Sequence, residues 1–500
     1  MIHSPHNLTG AMTRAWLVLA GCVIWATPVA LAMPQVVTHA IPVGEVTMGN
    51  YWVTVNGQDV PVHRAIQNDS RVNDDGWDLD YGDYGFVSFD FSGGPVELRI
   101  VSRTTLDQAV IRPLTQGVKP EFPKPDTALI RIDKPGQYSF EPNGPYSPLL
   151  IFANAPEPPA PKEGDPGVVY FGPGLHRPPG GIIRLTDNQT LYLHGGAVVQ
   201  AGLRIDGRNI KVRGRGILDG SPWTWRKGPL VEDWSKRDAK GRVIERGHMN
   251  AIQDSYDVSI KDITVRGAWQ WTFYLENSEK VSFDNVKIVG GKNHNDDGID
   301  PTNSRNITVR NCFIRTADDC FALKGHNFKD GPVEHLLVEN CVLWTEAQRI
   351  ALLGHESSAP AMRDIVFRDI DVIHFGPNIG FCLQPGEEMM LEDVLFENIR
   401  IHADGYVGRT NPAHVIDVAP VVNKFMQRKV PGHVRAITFR NISVTGPEKR
   451  KREIRIAGVD QAHASCNITL ENVSIFGVPA TRDAPFVDVG PNTSSISFKR

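Results

Sequence analysis

The chain has 500 residues, of which 41% are hydrophobic and 22% are charged, the balance of an ordinary soluble globular protein. Its 53 Lys and Arg residues against 57 Asp and Glu residues give a formal net charge of −4, which offers no basic field to attract nucleic acid or an anionic membrane. The length exceeds one compact core, so we expect two domains or an elongated repeat fold.

The first 32 residues have the layout of a signal peptide. An apolar stretch covers 16–31, and Ala30-Leu31-Ala32 offers small residues for cleavage before Met33. The stretch is interrupted by Pro28 and is too short for a membrane span, so we expect none. This layout predicts a secreted or periplasmic protein.

A second reading of the same segment is a lipid anchor. Leu19-Ala20-Gly21-Cys22 resembles a bacterial lipobox, in which Cys22 carries lipid after cleavage. The apolar run continues past Cys22, which favours plain secretion. An outer-membrane lipoprotein is the alternative.

Residues 33–154 read as short strands separated by Gly, Pro, Asn and Asp, a pattern typical of an antiparallel β-sandwich. The predicted strands are Tyr51–Val55, Val60–Ile66, Phe86–Phe91, Val96–Val101, Ala128–Ile132 and Leu149–Phe152. A proline-rich stretch then marks a semi-rigid linker over 155–167. We place a second domain over 168–500.

This second domain repeats one sequence pattern, in which runs of alternating apolar residues are interrupted by Asn or Asp. The marked positions are separated by 23 to 43 residues, and each repeat is built from pieces with strand periodicity. Such a repeat buries its apolar face only by stacking coil on coil, which predicts a right-handed parallel β-helix. The marked residues are Asp262, Asn285, Asn311, Asn340, Asp369, Asn398, Asn441 and Asn472.

Two polar excursions interrupt the repeat, and insertions in repeat proteins often form loops on the binding face. The first lies between Gly220 and His248 and holds Trp223, Trp225 and Trp234; the second lies between Ala403 and Val434. Tryptophan rings can stack on sugars. The alternative is that these aromatic side chains only pack the loop in place.

The cysteines indicate no cofactor. Without Cys22 an odd number remains, and no CxxC pair of the metal-binding type is present. Cys312 and Cys341 follow the repeat's Asn in consecutive coils, about 4.8 Å apart. They form either a disulfide or a ladder of buried thiols.

Acidic residues concentrate in two consecutive coils, at 295–300 and at 317–321. Asp297 and Asp319 are 22 residues apart, about one coil here, so they should stack on one sheet. Strand alternation sends neighbouring side chains to opposite faces. Asp318 and Asp319 therefore both face solvent only if Asp318 lies in a turn before the strand.

Carboxylates a few ångströms apart cannot all ionise easily, so one of them should hold a proton. A protonated acid beside an ionised carboxylate is the arrangement that cleaves a glycosidic bond. An acid–base separation of about 6.5–9.5 Å would predict inversion and about 5–5.5 Å retention. The same oxygens would suit calcium, and acids in turns also cap backbone groups, a role we keep open for Asp296 and Asp300.

At these residues the chain resembles the polygalacturonases, glycoside hydrolase family 28, with features of the related dextranase and isopullulanase family 49. The motif Asn-Thr-Asp-Gly-hydrophobic-Asp is similar to 295–300, where Asp296 replaces Thr, and the Asp-Asp-Cys motif stands intact as Asp318-Asp319-Cys320. The resemblance covers about 168–473. It implies inverting hydrolysis of a polysaccharide, with Asp318 as general acid and with Asp297 and Asp319 holding and activating water. We expect no cofactor and no resident metal.

The chain departs from family 28 at the motifs that follow. No His stands at Ala347–Ile350, where the Gly-His-Gly motif is expected, and no Arg-Ile-Lys stands at Gly380–Gln384 to grip a uronic carboxylate. A neutral glycan is therefore a second substrate candidate. The candidates for sugar binding, each with a solvated or structural role as its alternative, are Lys324, Arg349, His355, Glu356, Gln384, Asp300 and His294.

Three classes of protein fit these residues. The leading one is a secreted glycoside hydrolase that acts on a polysaccharide or oligosaccharide. The second is a calcium-dependent polysaccharide lyase, with Lys324 or Arg349 as the base. The third is a non-catalytic glycan-binding β-helix.

Overall fold

The computed structural model describes residues 34–68, 82–106, 108–230, 235–237, 243, 246–376, 378–403, 413–447 and 452–500. The expected signal peptide and Cys22 lie outside these ranges. A search of the described residues finds no helix with the length and apolar character needed to span a bilayer.

The N-terminal part is built from eleven strands among the described residues. They form a six-stranded sheet in the order β1-β5-β11-β10-β7, with β4 also on β5, and a five-stranded sheet in the order β3-β2-β6-β9-β8. The strands are β1 (Gln35–Val37), β2 (Tyr51–Val55), β3 (Gln58–Val60), β4 (His63–Ala65), β5 (Tyr84–Ser92), β6 (Val96–Ser102), β7 (Val110–Arg112), β8 (Pro120–Lys124), β9 (Thr127–Ile132), β10 (Gly136–Pro145) and β11 (Leu149–Asn154).

The sandwich is antiparallel except where β11 runs parallel to β5. All six residues of β11 are buried, because the strand has apolar neighbours on both faces. Leu149 and Ile151 face the sandwich core, and Leu150 and Phe152 face the apolar cluster shared with the solenoid. A strand buried on both faces is typical of parallel pairing, which the period-2 pattern did not reveal.

The rest of the chain is the solenoid, and the predicted fold class of a parallel β-helix after a small β-sandwich is confirmed. Its strands are β12 (Val168–Phe171), β13 (Gly174–His176), β14 (Ile182–Leu185), β15 (Thr190–Leu193), β16 (Ala197–Val199), β17 (Gly202–Ile205), β18 (Arg208–Gly214), β19 (Ile217–Asp219), β20 (Asn250–Gln253), β21 (Tyr256–Lys261), β22 (Thr264–Arg266), β23 (Phe273–Glu276), β24 (Glu279–Asp284), β25 (Lys287–Val289), β26 (Ile299–Thr302), β27 (Arg305–Arg310), β28 (Phe313–Thr316), β29 (Phe321–Gly325), β30 (Val333–Glu339), β31 (Val342–Thr345), β32 (Ala351–Ser357), β33 (Ala361–Phe375), β34 (Phe381–Gln384), β35 (Met390–His402), β36 (Ala413–Val418), β37 (His433–Thr445), β38 (Arg452–Ile456), β39 (Ser465–Ile475), β40 (Val478–Pro479), β41 (Val487–Val489) and β42 (Thr493–Lys499). Short 3-10 turns lie at Leu114–Gln116, Pro179–Gly181 and Phe328–Asp330.

Each coil contributes strands to two long parallel sheets. Within the described ranges, one sheet has twenty strands and the other has eleven, in the order β14-β17-β20-β23-β26-β29-β32-β34-β36-β38-β41. In later coils, β33, β35, β37 and β39 merge segments that earlier coils split into two strands. The eleven-stranded sheet positions the candidate site.

The marked Asn and Asp residues form a ladder at one corner of the solenoid. All eight adopt the left-handed conformation, with φ between 51° and 69°, which Asn and Asp tolerate better than other non-glycine residues. Side-chain amides bond along the ladder; Asn340 Nδ2, for example, donates to Asn311 Oδ1 at 2.6 Å. The repeat in the sequence is therefore a repeat of one backbone turn.

The lumen is filled by stacked apolar side chains. Phe367 lies 5.2 Å from Phe396, and Phe396 lies 5.0 Å from Phe439, ring centre to ring centre, with both pairs close to parallel. Inward positions on successive coils thus build one continuous core, and outward positions are left for function.

The sandwich packs against the solenoid through a mixed apolar and charged interface. Phe152 meets Phe313 edge to face at 5.4 Å. Arg215 pairs with Asp90 at 2.8 Å and with Asp262 at 2.7 Å, and all three are nearly inaccessible to solvent. The proline-rich segment is tied down as well, because the carbonyl of Ala155 accepts a bond from Arg215.

The cysteines are free thiols among the described residues, so Cys312 and Cys341 form no disulfide. Both are buried, and each accepts or donates within its own turn; Cys341 Sγ lies 3.3 Å from the carbonyl of Glu339. They fill a ladder position as small apolar residues do.

Candidate active site

One position recurs just before each strand of the eleven-stranded sheet. Because Ile299 pairs with Phe321, and Phe321 with Ala351, the residues two places earlier, Asp297, Asp319 and Arg349, are equivalent in successive coils. Neighbouring coils lie about 4.8 Å apart. Asp297 and Asp319 are therefore stacked, as the sequence predicts.

Asp318 lies in the turn between β28 and β29, which is the break that the sequence required. The turn is held by Thr316 Oγ1, which donates to the carbonyl of Asp318 at 2.8 Å. One carboxylate oxygen from each of Asp297, Asp318 and Asp319 lies within 4.8 Å of the other two. The structure thus brings together all three predicted catalytic residues.

The three carboxylates differ in their surroundings. Asp297 and Asp319 are each 2% exposed, whereas Asp318 is only partly buried. Asp319 accepts the backbone N–H of Arg349 at 3.0 Å and the Arg349 guanidinium at 3.2 and 3.3 Å. Among the described residues, no Lys or Arg lies at hydrogen-bond distance from Asp318, which accepts the backbone N–H of Asp319 at 3.1 Å and, weakly, the amide of Asn295 at 3.5 Å. Asp318 is therefore the least stabilised as an anion.

The electrostatics follow from burial. Desolvation raises the pKa of Asp297 to about 6, although Lys324 opposes the shift and Asp319 adds to it. Desolvation also raises the pKa of Asp318 well above its ordinary value, and the carboxylates of Asp297 and Asp319 add to this shift. The cluster therefore retains a proton near neutral pH, and Asp318 is its best carrier.

Lys324 compensates part of this negative charge. Its Nζ lies 3.0 Å from Asp300 Oδ2 and 3.5 Å from Asp297 Oδ2, and 3.2 Å from the centre of the Trp271 ring. Burial favours the neutral amine, but the carboxylates of Asp300 and Asp297 outweigh it and raise the pKa of Lys324. The ammonium thus stays charged and fixes Asp297 from below.

These residues open into a groove of about 1540 Å³. Its described lining lies between Arg226 and Gln427, so the sandwich contributes none of it. The lining runs from the coil of β20 to the loop after β36, six coil spacings or about 29 Å. That length accommodates several sugar units of a polymer.

Four of the predicted sugar-binding residues line this groove, and three do not. Lys324, Arg349, His355 and Glu356 are on the lining.

The remaining three lie behind the groove surface. Asp300 is fully buried beneath Lys324. Gln384 accepts at Oε1 within 2.9 Å of His355 Nε2 and donates to Asp417. His294 packs against Trp225 with ring centres 4.2 Å apart. Their side chains support residues around the groove instead of facing a substrate.

Several residues that line the groove were not predicted from the sequence. Trp271 and His248 lie two residues before their strands, as Asp297 does, in the two preceding coils. Their rings are stacked, with centres 4.3 Å apart. Arg246 pairs with Glu276 at 2.8 Å, and His326 bonds with Tyr274 at 3.1 Å. Alignment of the coils on Asp297 would have found Trp271 and His248. Arg246 lies in the insertion, Glu276 ends β23, and His326 directly follows β29.

The insertion lines the groove, but not through the predicted tryptophans. Trp223 packs edge to face on Trp269 at 5.0 Å, and Trp225 packs on His294, so neither is on the lining. Trp234 lies outside the described residues. The described aromatic surfaces of the groove are instead Trp271, Phe328 and Phe425.

The arrangement can perform acid–base chemistry, and its oxygens could also hold a hard cation. Lys324 and Arg349 already neutralise Asp297 and Asp319 within 3.5 Å, which lowers the electrostatic attraction for a second cation there.

Known proteins match the part of the chain that holds the groove. The model of glycosyl hydrolases family 28 matches residues 195–338. The chain is 27% identical over 211 residues to the probable exopolygalacturonase B of Aspergillus terreus, covering 40% of this chain and 46% of that protein. It is 24% identical over 301 residues to the probable exopolygalacturonase B of Aspergillus flavus, covering 51% of this chain and 66% of that protein. The matches thus span about half to two thirds of these relatives.

Among solved structures, Dex49A from Penicillium minioluteum superposes with a TM-score of 0.68 and 14% identity, over 92% of this chain and 96% of that one. At this identity the likeness establishes the fold alone. The family match confirms the predicted resemblance: over residues 195–338, in its central coils, this chain is similar to the glycosyl hydrolases of family 28.

Proposed function

We propose that the protein hydrolyses glycosidic bonds of a polysaccharide with inversion at the anomeric carbon. The observation that carries this proposal is the convergence of Asp297, Asp318 and Asp319 within 4.8 Å at the floor of an open groove. Asp318 is the general acid, since it is the most exposed of the three and the most easily protonated. Asp297 and Asp319 hold and activate the attacking water.

The separation of the carboxylates fits a bridging water. A water that bonds two oxygens at about 2.8 Å each, with a tetrahedral angle, requires those oxygens to lie about 4.6 Å apart. Asp297 and Asp319 each offer an oxygen within 4.8 Å of the other, an upper limit that admits such a water.

The same limit of 4.8 Å holds between the acid Asp318 and each of these two carboxylates. It is shorter than the roughly 6.5–9.5 Å common between the acid and base of inverting glycosidases, and nearer to the roughly 5–5.5 Å of retaining ones. We favour inversion because Asp319 is bound by both the backbone and the guanidinium of Arg349, and Asp297 by Lys324. Carboxylates neutralised in this way are poor nucleophiles but good holders of water.

For the substrate we propose an acidic, polygalacturonate-like glycan. Lys324, Arg246 and Arg349 are committed to Asp300, Glu276 and Asp319. Two further cations of the lining, Lys329 and Lys424, are exposed at its edge. Their exposed ammonium groups are placed to meet uronic carboxylates in place of the missing Arg-Ile-Lys motif. The names of the curated relatives agree with this substrate.

A neutral glycan is the second candidate. It is favoured by β34, the strand at which the family's basic motif would fall, because Phe381–Gln384 carries no cation. Trp271 and Phe425 offer apolar faces to a pyranose ring of either kind.

The hypothesis of a lyase has less support. A lyase needs a neutral base to remove a proton next to a uronic carboxylate. Asp300 and Asp297 raise the pKa of Lys324, and Asp319 raises that of Arg349, so both side chains stay protonated. Neither is suited to the role.

We also propose export from the cytoplasm, supported by the signal-like composition of residues 1–32.

The test is incubation with polygalacturonate, pectin, dextran-type glycans and other neutral glycans, with release of reducing ends as the signal. We expect cleavage of polygalacturonate and a loss of about 10²–10⁴-fold in Asp318→Asn. Asp257→Asn is the matched control, since Asp257 is a solenoid aspartate paired with Lys280 outside the groove. Unsaturated products that absorb in the ultraviolet would support a lyase. Full activity of Asp318→Asn would contradict the proposed acid.

A further inference from the structure

A second cluster of ligating side chains lies outside the catalytic groove. Glu388 precedes β35, His433 opens β37, and His463 lies in the turn before β39, so three coils contribute one residue each. One carboxylate oxygen and one ring nitrogen from each histidine lie within 4.8 Å of one another. We propose that these three residues bind a divalent transition metal of the zinc type.

The distances fit such an ion. Four-coordinate zinc with ligand bonds of about 2.0–2.1 Å places its ligand atoms about 3.3 Å apart. His433 Nε2 lies 2.8 Å from Glu388 Oε2, and His463 Nε2 lies 3.5 Å from Glu388 Oε1. The two separations are measured to different oxygens of one carboxylate and lie on either side of that value, so side-chain rotation is needed to bring one oxygen and both nitrogens around one ion. Two histidines and one carboxylate leave a position open for water.

The tautomer of His463 is the second observation. Its Nδ1 lies 2.9 and 3.1 Å from the carboxylate oxygens of Asp460, so Nδ1 carries the hydrogen. In the neutral ring the lone pair of Nε2 then points toward Glu388, a contact between two acceptors unless a proton or a cation lies between them. A carboxylate behind a ligating histidine is the usual outer partner in zinc sites.

The two rings are also placed side by side, as ligands of one ion require. His433 and His463 are stacked, with ring centres 5.0 Å apart and planes 28° from parallel. Asp460 itself is fixed by the backbone N–H groups of Ala462 and His463, which keeps the outer partner in place.

The cluster lies at the base of the loop 419–432, which we call the groove loop because it carries Lys424, Phe425 and Gln427 to the lining. Glu387 and Glu388 both adopt positive φ, 55° and 63°, and their N–H groups donate to the carbonyls of Val430 and Pro431. His433 directly follows this loop. A metal bound here would clamp the base of the groove loop to the next coil, beside two adjacent non-glycine residues that these backbone bonds hold at positive φ.

The test is titration of chelator-treated full-length protein with Zn²⁺ by calorimetry, and with Co²⁺ by visible absorption. We expect one equivalent of Zn²⁺ per chain and the intense bands of four-coordinate Co²⁺. His463→Gln and Glu388→Gln should abolish this binding, and Asp460→Asn should weaken it about 10–100-fold. Circular dichroism confirms that each variant is folded.

Two controls separate this site from other groups. His335→Gln changes an exposed histidine that pairs with Asp364 elsewhere on the solenoid, and it should leave Zn²⁺ binding unchanged. Asp318→Asn tests the catalytic carboxylates and should also retain the bound equivalent. Absence of binding in the native chain, or binding that survives in both His463→Gln and Glu388→Gln, would overturn the metal site. Hydrogen exchange in 419–432 that Zn²⁺ does not slow would overturn the clamp.

Discussion

Replacement of Lys324 by Met tests how the catalytic charges are balanced. In the native chain burial raises the pKa of Asp297 to about 6, with Lys324 limiting the rise. Activity requires ionised Asp297, so it is lost as the pH falls through that value. The native profile of kcat/KM should therefore have an acidic limb near pH 6, and a fall at higher pH as Asp318 loses its proton.

The size of the effect follows from the distance. Unit charges 3.5 Å apart, the separation of Lys324 Nζ and Asp297 Oδ2, interact by roughly 4.7 kcal/mol at an effective dielectric constant of about 20. That is an upper limit of about 3.5 pKa units, and neighbouring charges usually shift a carboxyl by about 1–3 units. Lys324→Met should thus move the acidic limb upward by about 1–3 pH units.

The assay is the pH profile of kcat/KM on the best substrate of the glycan panel, with thermal unfolding as a check on folding. Lys329→Met is the matched control, because Lys329 is an exposed lysine on the same groove. It should lower kcat/KM on an acidic glycan without moving the limb. An acidic limb in Lys324→Met that stays in place or moves to lower pH would refute the assigned charge balance.

Three further substitutions test the supporting structure. Asp300→Asn removes the closest anion of Lys324 and should lower kcat/KM by up to about 100-fold in a folded protein, through loss of positioning; unchanged kinetics would remove Asp300 from the site. Asn340→Ala places alanine, which tolerates the left-handed region less well than Asn, at φ 53° and deletes a ladder bond, so it should cost about 2 kcal/mol in urea denaturation. Asn340→Gly should cost about half as much, and equal losses would show that backbone strain is unimportant. Arg315→Met leaves the buried carboxylate of Glu346 without its cation, with Gln67 as a remaining hydrogen-bond donor, and should cost about 3–5 kcal/mol. A loss under about 1 kcal/mol would show that the ion pair is not needed.

The sequence predicts the solenoid well because its repeat and its physics coincide. Each marked Asn or Asp fills a left-handed turn, so the spacing of these residues reports the coils directly. The same register predicts that Asp297 and Asp319 stack, since both stand two residues before a strand. In this repeat, the local sequence pattern therefore also predicts which residues of successive coils come into contact.

Other features depend on contacts that the spacing does not encode. The burial of Asp300 under Lys324 requires two strands and a side chain that folds back between coils. Trp223 and Trp225 pack on Trp269 and His294 because the insertion folds onto the solenoid, which composition does not reveal. The parallel pairing of β11 likewise follows from an interface between distant segments.

Beyond the groove, Glu388, His433 and His463 are separated by 45 and 30 residues and share no motif. They meet only because three successive coils bring their turns to the same corner of the solenoid. Spacing rules for metal sites assume ligands within one local segment, so they do not detect ligands that are one coil apart.

In the proposed mechanism Asp297 and Asp319 activate water, and Asp318 protonates the leaving oxygen, in a single displacement. Proton NMR of the first products, recorded before mutarotation, tests it most directly. We predict that the newly formed reducing end has the opposite anomeric configuration to the bond that was cleaved. Products that keep the original configuration would show a covalent intermediate on Asp297 or Asp319 and would contradict the bridging-water mechanism.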